Sequence, residues 1–320
     1  MINKIKKVCC VGAGMIGSSW AVNFSLKGYP VNMYDIRFPD LIDDTRAGIK
    51  NTLQYLADQN AIAESDVESA LSKINYFSDF EAALEGVQYI QECAGENYKI
   101  KQDIIGQIDQ YAQTDVIYAS STSGLLVSEI AKFSKHPERC IGAHPYNPPH
   151  LIPLVEITKC DNTDPDVIKT AIAFFRDLGK EPVVLQKEAP GFICNRLSYA
   201  LYREAISLVM SGVCTIEDVD KAVTFGPGLR WAIFGPNMLY ELGSTNGIGE
   251  LFEKTGEMFD SVLADLADWK SFPKDFPTVA QEGVNAEKAN FPEHIGKSNE
   301  DALKFRNDCL IAMLKLHHKF

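Results

Sequence analysis

His144 and Glu156 are the residues whose types and spacing point most directly to chemistry. They stand in Ala143-His144-Pro145-Tyr146-Asn147-Pro148-Pro149 and in Leu154-Val155-Glu156. The apolar run Cys140 to Ala143 reads as a strand that delivers His144 to a crevice. A turn stiffened by Pro145, Pro148, Pro149 and Pro153 follows, and a second short apolar strand, Leu154 to Ile157, runs back with Glu156 on it. Such a turn can hold a carboxylate against an imidazole. A histidine oriented by a carboxylate is a base suited to taking the proton of an alcohol. The bland alternative is a His and a Glu that merely share a structural hydrogen bond, and the other motifs weigh against it.

The strongest of these lies near the start. Residues 5–11 read as an apolar strand, and Gly12-Ala13-Gly14-Met15-Ile16-Gly17 turns it into a helix running to about Lys27. Val31 to Tyr34 is the next strand and ends at Asp35. In this context Gly12 permits a tight turn, Gly14 lets the backbone approach a pyrophosphate, and Gly17 lets helix and strand pack closely. Met15 and Ile16 lie in the first turn of a helix whose N-terminus offers amide donors and partial positive charge to an anion. Asp35 is placed to accept the ribose hydroxyls and repels a 2'-phosphate, which favours NAD over NADP; Arg37 weakens that preference slightly. A base held near a nicotinamide implies alcohol oxidation.

These residues need a frame. Further strands are expected at about 74–77, 87–92, 115–119 and 140–144, with helices between most of them, a capping box at Ser65-Asp66-Val67-Glu68, and a helix near 164–178 with Pro165 first and Gly179 last. Alternating strand and helix predicts an α/β Rossmann-type, doubly wound, mostly parallel sheet. After a last short strand, Pro182 to Leu185, the pattern turns helical. The chain therefore divides into a dinucleotide-binding domain over 1–188 and an all-helical substrate and dimerisation domain over 189–320. The last helix, from Ser298 to Leu316, shows Ala302, Phe305, Cys309 and Met313 as a candidate buried stripe.

Composition narrows the function classes. The 320 residues are 46% hydrophobic with a net charge of −12. That balance disfavours nucleic acid and anionic membranes as partners. No run of 18 uncharged apolar residues reads as a membrane span. The eight cysteines show no C-x-x-C spacing, so the expectation is reduced thiols in a cytoplasmic protein. Six histidines without metal-ligand spacing argue against a metal site.

Taken together the motifs resemble the 3-hydroxyacyl-CoA dehydrogenase family over nearly the whole chain. The resemblance is carried by Gly12-x-Gly14-x-x-Gly17 with Asp35, Glu92 with Glu96-Asn97-Tyr98-Lys99-Ile100-Lys101, Ser120-Ser121-Thr122-Ser123, His144-x-x-Asn147-Pro148, Leu154-Val155-Glu156 and Pro190-Gly191-Phe192-Ile193-Cys194-Asn195-Arg196-Leu197. It implies NAD as cofactor and a homodimer formed through the helical domain. By the same resemblance His144 is the base and Glu156 its partner. Ser123 and Asn195 hydrogen-bond the substrate oxygen, Asn147 helps hold substrate and cofactor, and Glu92 and Lys99 lie beside the nicotinamide ribose.

One segment departs from the acyl-CoA pattern. Phe225-Gly226-Pro227-Gly228-Leu229-Arg230-Trp231-Ala232-Ile233-Phe234-Gly235-Pro236 resembles the family branch that holds L-gulonate 3-dehydrogenase and carnitine dehydrogenase. Those relatives oxidise small free 3-hydroxy compounds. A guanidinium binds a carboxylate in bidentate fashion, so Arg230 is the candidate anchor for a free acid. The expected activity is oxidation of a small, L-gulonate-like 3-hydroxy acid. Its alternatives are a 3-hydroxyacyl-CoA thioester, such as 3-hydroxybutyryl-CoA, or carnitine, whose trimethylammonium group would want an aromatic cage.

Overall fold

The apolar runs become strands of four to six residues, and the amphipathic stretches between them become helices. The computed structural model describes residues 4–319. The strands are β1 (Val8–Val11), β2 (Val31–Tyr34), β3 (Ile74–Phe77), β4 (Tyr89–Glu92), β5 (Ile117–Ser120), β6 (Cys140–Pro145), β7 (Leu154–Lys159) and β8 (Glu181–Val184). They form one sheet in the order β3-β2-β1-β4-β5-β6-β7-β8. Every pairing is parallel except β6 with β7.

A parallel sheet must be covered on both faces, and period-two alternation divides its side chains between two cores. Cys10 points into a core shared with α1 (Met15–Leu26), α2 (Ile42–Asp58), α3 (Glu64–Leu71) and α7 (Pro165–Asp177). Its neighbour Cys9 points into the opposite core, with α4 (Phe80–Leu84), α5 (Tyr98–Tyr111) and α6 (Val127–Ile130). The first core is centred on stacked aromatics. Trp20 and Phe24 lie 5.3 Å apart, Phe24 and Phe174 5.7 Å, and Tyr89 and Phe174 4.7 Å.

The helix ends have local causes. Asn97 accepts the amides of Lys99 and Ile100 to cap α5. Asp164 caps α7, Pro165 opens it, and Gly179 follows its end at φ +78°. The capping box expected at Ser65 starts two residues earlier: α3 begins at Glu64, and the Asp66 carboxylate accepts the Ala63 amide at 3.0 Å.

By packing, the chain up to Asn195 and again from Arg306 onward forms one compact unit, and Arg196–Phe305 forms a second. The division expected at 188/189 thus falls at Asn195, and the end of the chain packs with the first unit rather than the helical one. Helix α8 (Cys194–Met210) leads into the second unit, which holds α9 (Ile216–Phe225), α10 (Pro227–Trp231), α11 (Pro236–Glu241), α12 (Gly247–Asp265) and α13 (Phe276–Asn290). Helix α14 (Asn299–Leu316) returns to the first unit, where Ile311 and Leu314 join its core and Asp308 accepts the Tyr55 hydroxyl at 2.6 Å. The stripe expected on α14 is therefore displaced: Cys309 and Met313 are exposed, and Ala302 and Phe305 are half-buried. Among the described residues no helix is long and apolar enough to cross a membrane.

Phe175 is fully buried against Trp20 and Tyr89. Phe175→Ala is expected to lower the unfolding free energy by about 3–5 kcal/mol, read from the urea midpoint. Leu303→Ala, at an exposed position on α14, is expected to stay within about 0.5 kcal/mol of the parent.

Candidate active site

The carboxyl ends of the central strands lie in register. Tyr34, Val11, Glu92, Ser120 and Gly142 pair in turn across β2, β1, β4, β5 and β6. Ligands of open α/β sheets sit beyond such ends, and the chemistry-bearing residues of the first unit gather here.

The glycine turn follows β1. Gly12 has φ +104°, and a Cβ there would lie 2.8 Å from the Cys93 carbonyl oxygen. A Cβ on Gly17 would lie 1.8 Å from the Gly12 carbonyl oxygen, so only glycine allows α1 to start this close to the strand. Gly14 has no atom within 4 Å of its Cβ position, which leaves open the side a pyrophosphate would approach. Met15 is exposed and Ile16 half-buried in the first turn of α1. A cleft of about 470 Å³ lies alongside, lined by Gly12, Gly14, Asp35, Ile36, Phe80 and Ala94 among others.

Asp35 is tied down at the end of β2. Its Oδ2 accepts the Ala13 amide at 2.8 Å, and Arg37 donates from Nε and Nη2, both at 2.8 Å. Burial pushes this carboxyl up, but the Arg37 side chain and the amides of Ala13 and Arg37 outweigh it and hold it at about 2. Arg37 thus stands as the bidentate partner of Asp35, which leaves Asp35 ionised.

His144 and Glu156 are direct cross-strand partners in the antiparallel β6–β7 pair. Both are buried, and His144 Nδ1 lies 2.8 Å from Glu156 Oε2. Burial pushes the Glu156 carboxyl up, but the bond to His144 and the amides of Cys194 and Ile193 outweigh it and hold it below the usual carboxylate range. An ionised Glu156 accepts from a protonated Nδ1, so in the neutral imidazole Nε2 carries the lone pair. Its other oxygen, Oε1, accepts the amides of Ile193 and Cys194 at 2.8 and 3.0 Å. Glu156 therefore also fastens the first residues of α8. The Phe192 ring stands edge-on to the imidazole at 5.5 Å. Gly142, two residues before His144, admits no side chain, because a Cβ would meet Thr158 Oγ1 at 2.2 Å.

Asn195 and Ser123 also come together: Asn195 Nδ2 donates to the Ser123 carbonyl oxygen at 2.8 Å. The Ser123 amide and hydroxyl donate to Glu96 Oε1 at 2.8 and 3.2 Å, and the Thr122 hydroxyl does so at 2.7 Å. Burial raises the Glu96 carboxyl, but these bonds and the Lys101 charge hold it below the carboxylate range. Asn147 is exposed in the turn after His144.

Glu92 and Lys99 occupy different surroundings. Glu92 is fully buried, and its oxygens accept from Lys101 Nζ at 2.9–3.0 Å, Tyr118 Oη at 3.0 Å, Ser120 Oγ at 2.7 Å and the Ala94 amide at 2.7 Å. Lys99 faces solvent, with its ammonium on Asp103 at 2.6 Å. Residues two apart on a helix point to nearly opposite sides, so the burial of Lys101 turns Lys99 outward. Glu96 is the member of this segment that reaches the Ser123 loop, with Lys101 Nζ 3.6 Å behind it; Lys101 carries no sequence signal, because a lysine reads by default as solvated.

Comparison with known proteins matches residues 7–189 to the 3-hydroxyacyl-CoA dehydrogenase NAD binding domain and residues 191–276 to the 3-hydroxyacyl-CoA dehydrogenase C-terminal domain. The chain belongs to the 3-hydroxyacyl-CoA dehydrogenase family. It is 36% identical to a 3-hydroxyacyl-CoA dehydrogenase of Gibberella moniliformis, over 89% of this chain and 88% of that one. It is 35% identical to an L-carnitine dehydrogenase of a Pseudomonas species, over 98% and 94%. Among solved structures it is similar to 5-formyl-3-hydroxy-2-methylpyridine 4-carboxylic acid 5-dehydrogenase, an NAD+ dependent dismutase. That match has a TM-score of 0.82, 28% identity and coverage of 98% of both chains. The (S)-3-hydroxybutyryl-CoA dehydrogenase of Ralstonia eutropha matches with a TM-score of 0.66, 28% identity and coverage of 80% and 88%.

The chain is an NAD-dependent oxidoreductase acting on CH–OH groups. Its glycine turn, open at Gly14, and the ionised Asp35 fit that cofactor.

The carboxylate of Glu156 supplies a testable pH dependence. Its folded value lies below the ordinary value of 4.5. Stability from this group is therefore fully present above about pH 4.5 and is lost as pH falls through the folded value. Glu156→Gln is expected to flatten the acid limb of stability against pH, read from urea midpoints between neutrality and the acid limb. Parallel limbs for parent and variant would overturn this reading of the pair.

Proposed function

We propose that this chain oxidises the 3-hydroxyl of a small free 3-hydroxy acid to the 3-keto acid, with NAD as hydride acceptor. The observation that carries it is the buried His144–Glu156 pair on the same sheet whose first strand ends in the glycine turn, in a chain that an L-carnitine dehydrogenase matches over 98% of its length. When bound, NAD would supply the acceptor for the hydride that leaves C3. His144 Nε2 takes the hydroxyl proton, and the charge of Glu156 stabilises the imidazolium that results. Negative charge grows on the substrate oxygen as the proton leaves. Ser123 and Asn195 are the donors proposed for it: the Ser123 hydroxyl turns to it from Glu96, and Asn195 keeps one amide N–H beyond its bond to Ser123. Asn147 is proposed to hold substrate and cofactor in place, and the ribose next to the nicotinamide falls to Glu96 and Lys101 in preference to Glu92 and Lys99.

Two things support a free acid. Carnitine is itself a free 3-hydroxy acid, and the dismutase named above acts on a free pyridine carboxylic acid. In the helical unit Arg230 lies on α10 with an exposed side chain and no ion pair among the described residues. A carboxylate supplies the missing partner. The Gibberella relative supports a second reading, a CoA thioester. Carnitine itself asks for a cage of aromatic faces. Tyr202 already packs on Phe272 and Phe276, whereas Tyr199 and Trp231 are exposed.

A homodimer through the helical unit belongs to the same proposal. Within that unit only Ile206 and Phe276 of the described hydrophobic side chains are buried, while Leu229, Phe234, Met238, Phe252, Val262 and Leu263 are exposed. An apolar surface of that kind marks an interface.

The deciding assay follows NAD reduction at alkaline pH with L-gulonate, L-3-hydroxybutyrate, L-carnitine and 3-hydroxybutyryl-CoA. One free acid is expected to give the highest kcat/KM. His144→Ala is expected to lower kcat by about 10²- to 10⁴-fold. Arg230→Met is expected to raise KM for the free acid by about ten-fold or more with a smaller effect on kcat. Turnover of the thioester alone would overturn the free-acid reading, and an unchanged KM in Arg230→Met would remove the anchor.

A further inference from the structure

A second cavity, of about 390 Å³, opens in the first unit. It is lined by Asn23 and Lys27 at the end of α1, His150 in the loop after β6, and Gly179 and Lys180 in the turn from α7 to β8. Lys180 is buried, with its ammonium 5.7 Å over the Trp20 ring. Its Nζ donates to the carbonyl oxygens of Pro149 and Ile152 at 2.5 and 3.3 Å. Both acceptors are neutral, and no carboxylate among the described residues pairs with it. The other charges near the cavity do not compensate it. Asp66, the one carboxylate among the lining residues, accepts the Ala63 amide and stands against the three lining lysines Lys27, Lys180 and Lys319, of which Lys319 is paired with Glu181; His318 adds a further imidazole.

The neighbours make the imbalance larger. Lys27 Nζ lies 3.9 Å from the Cβ position of Gly179, one residue from Lys180, and has no ion pair among the described residues. Burial, and then the Lys27 charge, pull the Lys180 amine down to about 7. His150 Nδ1 stands 3.2 Å from Ser19 Oγ, and burial with the charges of Lys180 and Arg306 holds its ring at about 4. It is therefore neutral at pH 7. A buried ammonium without a counter-ion is costly, and an anion delivered to it from solution removes that cost.

We propose that this cavity binds a small oxyanion of the phosphate class, held by Lys180 and Lys27 with His150 alongside. The site has a mechanical connection to the chemistry. Pro149, the acceptor of Lys180, also accepts from Asn23 Nδ2 at 3.0 Å, and it closes the turn that carries Asn147. An anion on Lys180 therefore bears on the turn that leaves His144.

Free phosphate and a phosphate monoester present the same chemistry, so calorimetric titrations use inorganic phosphate and methyl phosphate as separate probes. The protein is saturated with NAD beforehand, which keeps the dinucleotide cleft filled, and ionic strength is matched with sodium chloride. Saturable binding at one site is expected. Lys180→Met is expected to weaken it by about ten-fold or more, and Lys27→Ala by several-fold. Lys27 is exposed, so its variant tests the site even where Lys180→Met folds poorly. Equal affinity for both probes assigns the cavity to phosphate esters as well as the free ion; phosphate binding alone assigns it to the free ion. Absence of saturable binding, or binding that Lys27→Ala and a folded Lys180→Met both leave unchanged, overturns the proposal.

Discussion

The carboxylate of Glu156 holds three separate pieces of chain in one geometry. One oxygen takes the Nδ1 proton of His144 on the neighbouring strand, and the other takes the amides of Ile193 and Cys194 at the start of α8. A fully buried charge is tolerable only when its hydrogen-bonding capacity is filled, and here it is filled from two directions. The N-terminus of a helix adds a favourable dipole to the same site. The requirement also explains a feature of the sheet. The pairing of β6 with β7 is its one antiparallel ladder, and an antiparallel ladder is what sets residues 144 and 156 directly opposite each other across a short turn. A parallel return would need a crossover of a dozen residues or more and would lose that opposition.

A second buried charge pair repeats this logic on β4, two strands from β6. Lys101 on α5 meets Glu92 at the end of β4, and Glu92 is completed by Tyr118, Ser120 and the Ala94 amide. Lys101 also faces Glu96 at 3.6 Å, and Glu96 gathers the Thr122–Ser123 loop. Ser123 in turn accepts from Asn195. A chain of polar contacts therefore runs from the interior of the sheet to the residue next to the α8 amides that Glu156 holds. Removing one member of such a network strands the others, which is why buried polar groups act as positioning devices more than as sources of stability.

Much of this was legible in the sequence, because the governing signals are local. The strands are short runs rich in apolar residues, and the glycine turn with Asp35 needs only short-range spacing. The His144–Glu156 pair was legible because a proline-rich turn between two apolar runs leaves few ways for them to lie. What escaped depends on facing. Lys99 and Lys101 differ only in which side of α5 they occupy, and no feature of Tyr98 to Lys101 announces which side is inward. The stripe on α14 went astray for the same reason: Ile311 and Leu314 pack inward, whereas Cys309 and Met313, on neighbouring lines of the same helix, remain exposed. The helical unit was the hardest to read, since among the described residues most of its apolar side chains are not buried.

That contrast bears on specificity. The parts of the first unit that fit NAD and a proton acceptor are fixed by sterics and buried charge, at Gly12 and Gly17, at Asp35 and at the His144–Glu156 pair. They suit any 3-hydroxy substrate of the family and do not separate a free acid from a thioester. The discriminating groups must be ones that meet the remainder of the substrate, where a carboxylate needs a cation, a CoA chain needs a long groove, and a quaternary ammonium needs aromatic faces. Arg230, in a segment that departs from the acyl-CoA pattern, is the residue whose chemistry speaks to that choice. A shared family therefore decides the reaction here but not the substrate, and relatives of nearly equal identity carry the names of enzymes for both kinds of substrate.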